Sequence, residues 1–95
     1  MLGVALLEFE TGMRRCLKEP NLIPDKPYVV FLSLSYNAGV SAFCRSTVAR
    51  RANSGDLRGA CEALMMWTRA GGRVVPGLVY RRKKERALCL EGLNQ

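Results

Sequence analysis

The N-terminal part of the chain carries a helical pattern of apolar residues. Over residues 2–18 the large apolar side chains recur every three or four positions: Leu6, Phe9, Met13 and Leu17. That interval places them on one face of an α-helix, so a first helix is predicted here. Pro20 and Pro24 interrupt the pattern, because a proline inside a helix removes a backbone donor and clashes with the preceding turn.

The next apolar segment, residues 28–36, fits two structures. Its even positions are all apolar, as in a half-buried strand: Tyr28, Val30, Leu32, Leu34 and Tyr36. Its flanks favour a helix, since Asp25 is a good N-cap, Pro27 falls in the first turn, and Gly39 follows where a helix can end. Periodicity alone leaves strand and helix open.

Two helices are predicted in the middle of the chain. A short one opens at Arg45 or Ser46 and closes at the polar stretch 53–55. Asp56 is the clearest N-cap of the chain and starts the next helix, which Gly71-Gly72 ends. The apolar face of that helix carries six residues at helical spacing: Leu57, Ala60, Cys61, Leu64, Met65 and Thr68.

A last helix runs from about Pro76 to Leu90, with Gly92 as its C-terminal stop. Neighbouring helices are separated by only a few residues, which is typical of a small helical bundle. The prediction is an all-α fold, a bundle of four to five helices that forms a single domain over residues 1–95.

Net charge restricts the class of partner. The chain has 15 Lys and Arg against 8 Asp and Glu, a net charge of +7. Such a surplus favours nucleic acid, anionic membranes or anionic cell-wall polymers. A dense run of cations spans residues 81–86, where Arg81 and Glu85 can pair on a helix. Because only Tyr80 offers an aromatic ring nearby, a solvated helix face is favoured over a nucleic-acid site.

Several function classes are excluded by missing residues. The chain contains no histidine and no C-x-x-C pair, so imidazole catalysis, the usual zinc sites and any cofactor are not predicted. No apolar run reaches the roughly 18 residues that span a bilayer. Residues 1–7 lack a basic lead-in and are followed by Glu8 and Glu10, which makes a poor signal peptide. Localisation is therefore left open.

Five ordered segments resemble one known family. They are Tyr36-Asn37-Ala38-Gly39, Phe43-Cys44-Arg45-Ser46-Thr47, Asn53-Ser54-Gly55-Asp56-Leu57-Arg58-Gly59-Ala60-Cys61, Trp67-Thr68-Arg69-Ala70-Gly71-Gly72 and Gly77-Leu78-Val79-Tyr80-Arg81-Arg82-Lys83-Lys84-Glu85-Arg86. In this order and spacing they resemble the C-terminal lobe of phage-type lysozymes (glycoside hydrolase family 24), the muramidases that phages and prophages use as endolysins. The resemblance covers roughly residues 7–92 and implies that residues 28–36 form the buried central helix of that lobe.

The resemblance implies a substrate-binding role for Tyr36, Asn37 and Ser46. The corresponding residues of the family face the saccharide cleft. An aromatic face can cover a sugar ring while amide and hydroxyl groups bind its polar edges. The alternative is structural: Tyr36 ends a core helix and Asn37 caps it, ahead of a loop over residues 38–46.

No catalytic residue is assigned. Glycoside hydrolysis needs two positioned side chains, at least one of them a carboxylic acid. In the family a glutamate within Glu-Gly-x-Arg supplies the proton, and a Gly-x-Gly-His turn follows. The segment Glu8-Phe9-Glu10-Thr11-Gly12-Met13-Arg14 is only superficially similar, and we interpret Glu8 and Glu10 as surface carboxylates of the first helix. The resemblance therefore implies a lysozyme-like domain that lacks the N-terminal catalytic lobe.

The expected function is the saccharide-binding lobe of a truncated peptidoglycan β-1,4-N-acetylmuramidase, with little or no activity alone. Peptidoglycan is the expected partner, and self-association through the surface left by the missing lobe is a further expectation. The alternative is a small basic helical protein that binds nucleic acid with strong salt dependence, although nucleic acid is the less favoured partner. Trp67, the only tryptophan, is expected in the core.

Four cysteines are enough for two disulfides: Cys16, Cys44, Cys61 and Cys89. If the last two long helices are antiparallel, Cys61 and Cys89 lie about 15 and 20 Å from their shared end, at similar depth. Relatives of this lysozyme type also carry paired cysteines there. A Cys61–Cys89 bridge is predicted on both grounds, and Cys16–Cys44 by elimination. The alternative is four reduced thiols packed as small apolar side chains.

Overall fold

The computed structural model describes residues 2–93, with side chains from residue 8 onwards. Six α-helices lie in this range: α1 (Leu2–Cys16), α2 (Asp25–Ala38), α3 (Val40–Cys44), α4 (Thr47–Asn53), α5 (Leu57–Ala63) and α6 (Pro76–Leu93). The other elements are two 3-10 helices, Pro20–Leu22 and Leu64–Met66, and the antiparallel strands β1 (Arg69–Ala70) and β2 (Arg73–Val74). The mostly helical prediction is confirmed, and the short hairpin is an addition to it.

Helix α2 is the centre of the fold. It packs against α1, α3 and α6, and Phe31 and Leu34 are fully buried on it. Pro27, Val30 and Ser35 are buried as well, so the buried residues recur every three or four positions along one face of the helix. The sequence also fits a strand because Tyr28, Leu32 and Tyr36 add apolar side chains outside that buried face. The helical interpretation of residues 28–36 is confirmed.

Local chemistry sets the ends of α2. The N-cap position is held by Pro24, and Asp25 is the first helical residue, so the N-cap prediction for Asp25 is wrong. The Pro24 carbonyl accepts from the Tyr28 N–H at 3.0 Å, a role that needs no donor and therefore suits a proline. Gly39 ends the helix as predicted, and its φ of 98° explains why a glycine stands there.

The segment after α2 is helical where a loop was expected. Helix α3 occupies most of residues 38–46, and Phe43 anchors it with a fully buried ring. The loop prediction is therefore wrong, because the buried Phe43 ring and the disulfide of Cys44 hold this short helix against the core. The N-cap prediction for Asp56 is correct, since its carboxylate accepts from the Gly59 N–H at 2.9 Å.

The helix that starts after Asp56 is shorter than predicted. It ends at Ala63, and the chain continues through a 3-10 turn into the hairpin. Gly71 and Gly72 have φ of 61° and 80°. Two successive residues with positive φ are typical of the type I′ turn that joins paired strands. The two glycines therefore form a hairpin turn, and their interpretation as a helix stop is wrong.

Gly92 also has a role other than the predicted one. Helix α6 continues through it to Leu93, so Gly92 is not a C-terminal stop. A Cβ atom at this position would lie 2.5 Å from Pro27 Cδ and 2.8 Å from Lys26 Cβ. The missing side chain lets α6 approach the first turn of α2 closely, which is a common use of a buried glycine.

Both predicted disulfides are present. Cys16–Cys44 joins the end of α1 to the end of α3, and Cys61–Cys89 joins α5 to α6, each with Cα atoms 5.7 Å apart. Cys61 and Cys89 are fully buried. The two cysteines are bonded even though α5, which carries Cys61, is shorter than the helix that was predicted to run antiparallel to α6. Each bridge closes a loop of 28 residues, which corresponds to about 3–4 kcal/mol in the chain-entropy description.

Candidate functional site

Two of the predicted binding residues lie side by side in the last turn of α2. Tyr36 and Asn37 are both exposed, Tyr36 by 42%. The Tyr36 ring packs against the Phe9 ring of α1, with centroids 5.2 Å apart and planes tilted by 59°. This aromatic contact holds one side of the tyrosine ring and leaves the rest in solvent, where a ligand can reach it.

Asn37 is oriented by the preceding turn of its own helix. Its Nδ2 donates to the Ser33 carbonyl at 2.7 Å and to Ser33 Oγ at 3.3 Å. Gly39, not Asn37, holds the C-cap position of α2. Among the described residues no donor pairs with the carboxamide oxygen of Asn37, so that acceptor faces solvent. The amide is thus pre-oriented, with one polar atom free to bind a ligand.

Tyr36 and Asn37 line an open groove of about 320 Å³. The other lining residues are Val29, Leu32, Ser33 and Arg81. The aliphatic residues and the tyrosine ring form an apolar floor, and amide, hydroxyl and guanidinium groups form the polar wall. Apolar surface with a few convergent polar groups is typical of sites that bind small organic ligands. The chemistry suits a ring that has an apolar face and polar edges.

One carboxylate, that of Glu85, contacts two of the residues that line the groove. Glu85 accepts from Ser33 Oγ at 3.1 Å, and Arg81 Nε lies 3.6 Å from the same carboxylate oxygen. Its other oxygen pairs with Arg82, and only 13% of the glutamate side chain is exposed. The carboxylate is therefore engaged by two guanidinium groups and a hydroxyl. The Arg81–Glu85 pair is as predicted, whereas the links to Ser33 and Arg82 were not foreseen.

Ser46 lies at a different part of the surface from Tyr36 and Asn37. It is the N-cap of α4, where its Oγ accepts from the Ala49 N–H at 3.1 Å and donates to the Phe43 carbonyl at 2.6 Å. Only 8% of the residue is exposed. The hydroxyl is thus occupied by the backbone, and the substrate-binding role of Ser46 stays a prediction.

Ser46 borders a second pocket, of about 230 Å³. The remaining lining residues are Arg45, Thr47, Met66 and Trp67. Trp67 follows the 3-10 helix Leu64–Met66, packs against the core and is half-buried rather than enclosed. The expectation that this tryptophan belongs to the core is therefore correct for one part of the side chain only. The other part lines the pocket.

A polar network joins α1 to α2 on another side of the molecule. Glu8 is exposed as expected, but Glu10 is half-buried and accepts a hydrogen bond from the Tyr28 hydroxyl. Arg14 donates to the same hydroxyl at 3.0 Å. Burial raises the pKa of Tyr28 above its usual 10.0, and the bond to Glu10 raises it further, while Arg14 acts in the opposite direction. Glu10 is therefore a contact between helices and not a simple surface charge.

The basic run on α6 is partly neutralised. Arg81 and Arg82 both lie within ion-pair distance of Glu85, and Arg86 pairs with Glu62 at 3.6 Å. Arg82 is only 4% exposed and donates from Nε to the Trp67 carbonyl at 2.9 Å. Three of the five cations in the run are thus paired with carboxylates, and the run does not form a continuous cationic surface.

Residues 2–93 contain neither a membrane span nor a metal-binding cluster. No helix in that range has the length and apolar character to cross a membrane. The same residues contain no cluster of three or more side chains able to bind a metal ion. The groove at Tyr36 and Asn37 brings two of the predicted binding residues together and is the candidate functional site.

Comparison with known proteins extends this picture. Residues 1–85 match the family model described as phage lysozyme. The SAR-endolysin of Enterobacteria phage P21 is 46% identical over 70 residues, which are 74% of this chain and 42% of that protein. The endolysin of Bacillus phage B103 is 34% identical over 85 residues, 90% of this chain and 32% of that protein. The chain thus spans less than half the length of these curated relatives.

A solved structure has the same fold. The muramidase domain of SpmX from Asticaccaulis excentricus superposes with a TM-score of 0.82 and 29% sequence identity, over 95% of this chain and 63% of that one. The helical architecture, the family model and the sequence relatives agree with the resemblance carried by the five segments between Tyr36 and Arg86. The chain belongs to the phage lysozyme family.

Proposed function

We propose that this chain is the saccharide-binding lobe of a peptidoglycan muramidase, with little or no hydrolytic activity in residues 1–95 alone. The observation that carries the proposal is the groove at the end of α2, where an exposed tyrosine ring adjoins a pre-oriented amide. Such a surface suits an N-acetylated sugar, whose ring has apolar faces and whose acetamido group pairs with amides.

The relatives support the choice of polymer. The sequence relatives are endolysins, and the structural relative is a muramidase domain. A muramidase cleaves the bond between N-acetylmuramic acid and N-acetylglucosamine, so its binding surface must hold both sugars of peptidoglycan. The Tyr36–Asn37 groove is the surface that we assign to this task.

The distribution of carboxylates supports weak or absent hydrolysis. A glycosidase needs a free carboxylic acid beside the bond that it cleaves. Glu85 is the one carboxylate of residues 8–93 with a bond into the groove wall, and it is held by Arg81, Arg82 and Ser33. The remaining acids lie in caps, inter-helix contacts or exposed positions outside the groove lining. No acid–base pair can be assigned among them.

Binding is tested by co-sedimentation with purified, insoluble peptidoglycan. We expect the 95-residue protein to sediment with it, and Tyr36→Ala to weaken the affinity by about five-fold, since loss of an aromatic–sugar contact removes on the order of 1 kcal/mol. Tyr80→Ala is the matched control, because Tyr80 is 62% exposed on α6 and lies outside the groove. Equal losses in both variants, or no sedimentation of the wild type, would refute the proposal.

Hydrolysis is tested by the fall in turbidity of a peptidoglycan suspension. We expect no clearing at enzyme concentrations at which a full-length endolysin clears the suspension within minutes. Clearing at such catalytic amounts, followed by its loss in Glu85→Gln, would show that the groove contains its own acid and that this part of the proposal is wrong.

We also propose that the apolar face of α2 allows self-association. Val29 is 55% exposed beside Tyr36 and borders the same groove, which leaves apolar surface for a second copy to cover. Sedimentation velocity should show a concentration-dependent dimer that Val29→Lys abolishes. Leu22→Lys, at a residue 73% exposed on another face, should leave the dimer intact. A monomer at all concentrations would contradict self-association without affecting sugar binding.

A further inference from the structure

The two disulfides differ in their access to solvent. Cys61 and Cys89 have no exposed surface, whereas Cys16 and Cys44 are both partly exposed. A thiol that breaks a disulfide must reach one of its sulfur atoms. Such a reagent can approach the Cys16–Cys44 bridge in the folded protein, but it reaches the Cys61–Cys89 bridge only when α5 separates from α6. The partly exposed bridge is therefore the one that can react without unfolding.

Cations flank the partly exposed bridge. Arg15 precedes Cys16 and Arg45 follows Cys44, and both arginines are exposed. No carboxylate of residues 8–93 lies within ion-pair distance of either guanidinium. Positive charge beside a disulfide attracts an anionic thiol and stabilises the thiolate that leaves when the S–S bond breaks. The buried bridge has no cation next to either of its cysteines in the sequence.

The end of α1 has attachments that do not depend on sulfur. Asn53, the last residue of α4, donates from Nδ2 to the Cys16 carbonyl at 2.9 Å and accepts at Oδ1 from the Lys18 N–H at 2.8 Å. Helix α1 also approaches α3 closely at Gly12, where an added Cβ would lie 2.8 Å from Val40 Cγ1. These contacts hold α1 in place when the bridge opens, so the reaction can leave the fold intact.

We propose that Cys16–Cys44 is a site of thiol–disulfide exchange, in the folded protein, with a small anionic thiol of the glutathione class. The reagent thiolate attacks one sulfur, the S–S bond breaks, and the other cysteine leaves as a thiolate that takes a proton from water. The product is a mixed disulfide between protein and reagent. A second reagent thiolate releases the remaining cysteine, so two reagent thiols become one disulfide and the protein gains two thiols.

The exchange site is separate from the candidate saccharide site. Neither Cys16 nor Cys44 lines the Tyr36–Asn37 groove. The inference thus goes beyond the proposed function, and the failure of either one leaves the other standing.

The rate of exchange at each cysteine is measured on the wild-type protein. The native protein is incubated with reduced glutathione, quenched with acid and alkylated, and the tryptic peptides are quantified by mass spectrometry. We expect Cys16 and Cys44 to react at least about ten-fold faster than Cys61 and Cys89, with a glutathione adduct as the intermediate. Equal rates at all four cysteines, or faster reaction of the buried pair, would overturn the inference.

The part played by the flanking charge is tested with two thiols. Glutathione carries carboxylates in addition to its thiol, whereas 2-mercaptoethanol has no other charged group. Arg45→Gln should lower the ratio of the glutathione rate to the mercaptoethanol rate by about two-fold, the effect of one exposed charge pair. Arg58→Gln, at an exposed arginine of α5, is the matched control and should leave this ratio unchanged. Equal ratios in the two variants would show that the site does not select an anionic thiol.

A variant without the bridge tests whether the fold survives its opening. Cys16→Ser combined with Cys44→Ser should keep the wild-type circular dichroism spectrum and unfold cooperatively at a lower urea midpoint. Adding Asn53→Ala should lower this midpoint further, and by more than Asn53→Ala lowers that of the wild type, because the amide then holds the end of α1 without the bridge. An unfolded double variant, or an effect of Asn53→Ala that is no larger without the bridge, would overturn exchange in an intact fold.

Discussion

Gly92 provides a direct test of how α6 packs on α2. In a solvent-exposed helix, replacing glycine by alanine stabilises the fold by up to about 1 kcal/mol, because alanine loses less backbone entropy. At Gly92 the added Cβ would lie 2.5 Å from Pro27 Cδ and 2.8 Å from Lys26 Cβ. One of these atoms belongs to a rigid ring and the other is attached directly to the backbone, so neither can move without its helix.

The expected change in the free energy of unfolding is the difference between the cost of the steric overlap and the gain in helix propensity. Overpacking of this kind costs about 1–3 kcal/mol, and the upper half of that range applies because the neighbouring atoms are fixed. After subtraction of the propensity gain, Gly92→Ala should lower the free energy of unfolding by about 1–2 kcal/mol. For a domain of this size, the melting temperature should fall by roughly 4–8 °C per kcal/mol.

A second glycine of the same helix is the control. A Cβ at Gly77 would meet no atom within 4 Å, so Gly77→Ala should leave stability unchanged or raise it by a few tenths of a kcal/mol. Urea unfolding followed by circular dichroism, with both disulfides intact, measures the two variants. The close-packing argument would be refuted if Gly92→Ala were as stable as Gly77→Ala.

Three further predictions concern stability. The pKa of Tyr28 is raised in the folded protein, so its neutral hydroxyl should contribute stability that is complete below pH 10 and lost as the pH rises through the folded pKa. Unfolding midpoints measured between pH 8 and 11.5 should show this fall in stability. Tyr28→Phe should make the fall smaller. Asp56→Ala should cost about 1 kcal/mol by urea unfolding, since it removes the capping bond of α5, and Asp56→Asn should restore most of the loss. Replacing Cys61 and Cys89 together by alanine should lower stability by about 3–4 kcal/mol, measured by thermal unfolding, and retention of the wild-type melting temperature would contradict a closed bridge.

The features that sequence could predict are those decided by neighbouring residues. Gly39 and Asp56 act within one helical turn of their own position, as their residue types indicate. Asp25 failed as an N-cap because Pro24, immediately before it, could supply the needed carbonyl equally well. Gly71-Gly72 is compatible with either a helix stop or a hairpin turn, and only the pairing of Arg69 with Val74 selects between them.

The features that sequence could not predict depend on distant partners. Gly92 meets Pro27 across 65 positions of the chain, so its spacing function has no local signature. Arg82 lies within a run of exposed cations, and nothing nearby indicates that it alone is buried against the Trp67 carbonyl. At the candidate site, Tyr36 and Asn37 were predicted from the family resemblance. The bond between Ser33 and Glu85 could not be predicted, because it forms only when α6 packs on α2.

The order of the two cross-links along the chain has a consequence for how the protein matures. The ring closed by Cys16 and Cys44 ends before the ring closed by Cys61 and Cys89 begins, so neither is nested in the other. Of the three pairings that four cysteines allow, this is the one in which the first two cysteines join each other and the last two join each other. When the chain is synthesised from its N-terminus, both cysteines of the first ring emerge before those of the second, so the first pair can meet without competition from the second.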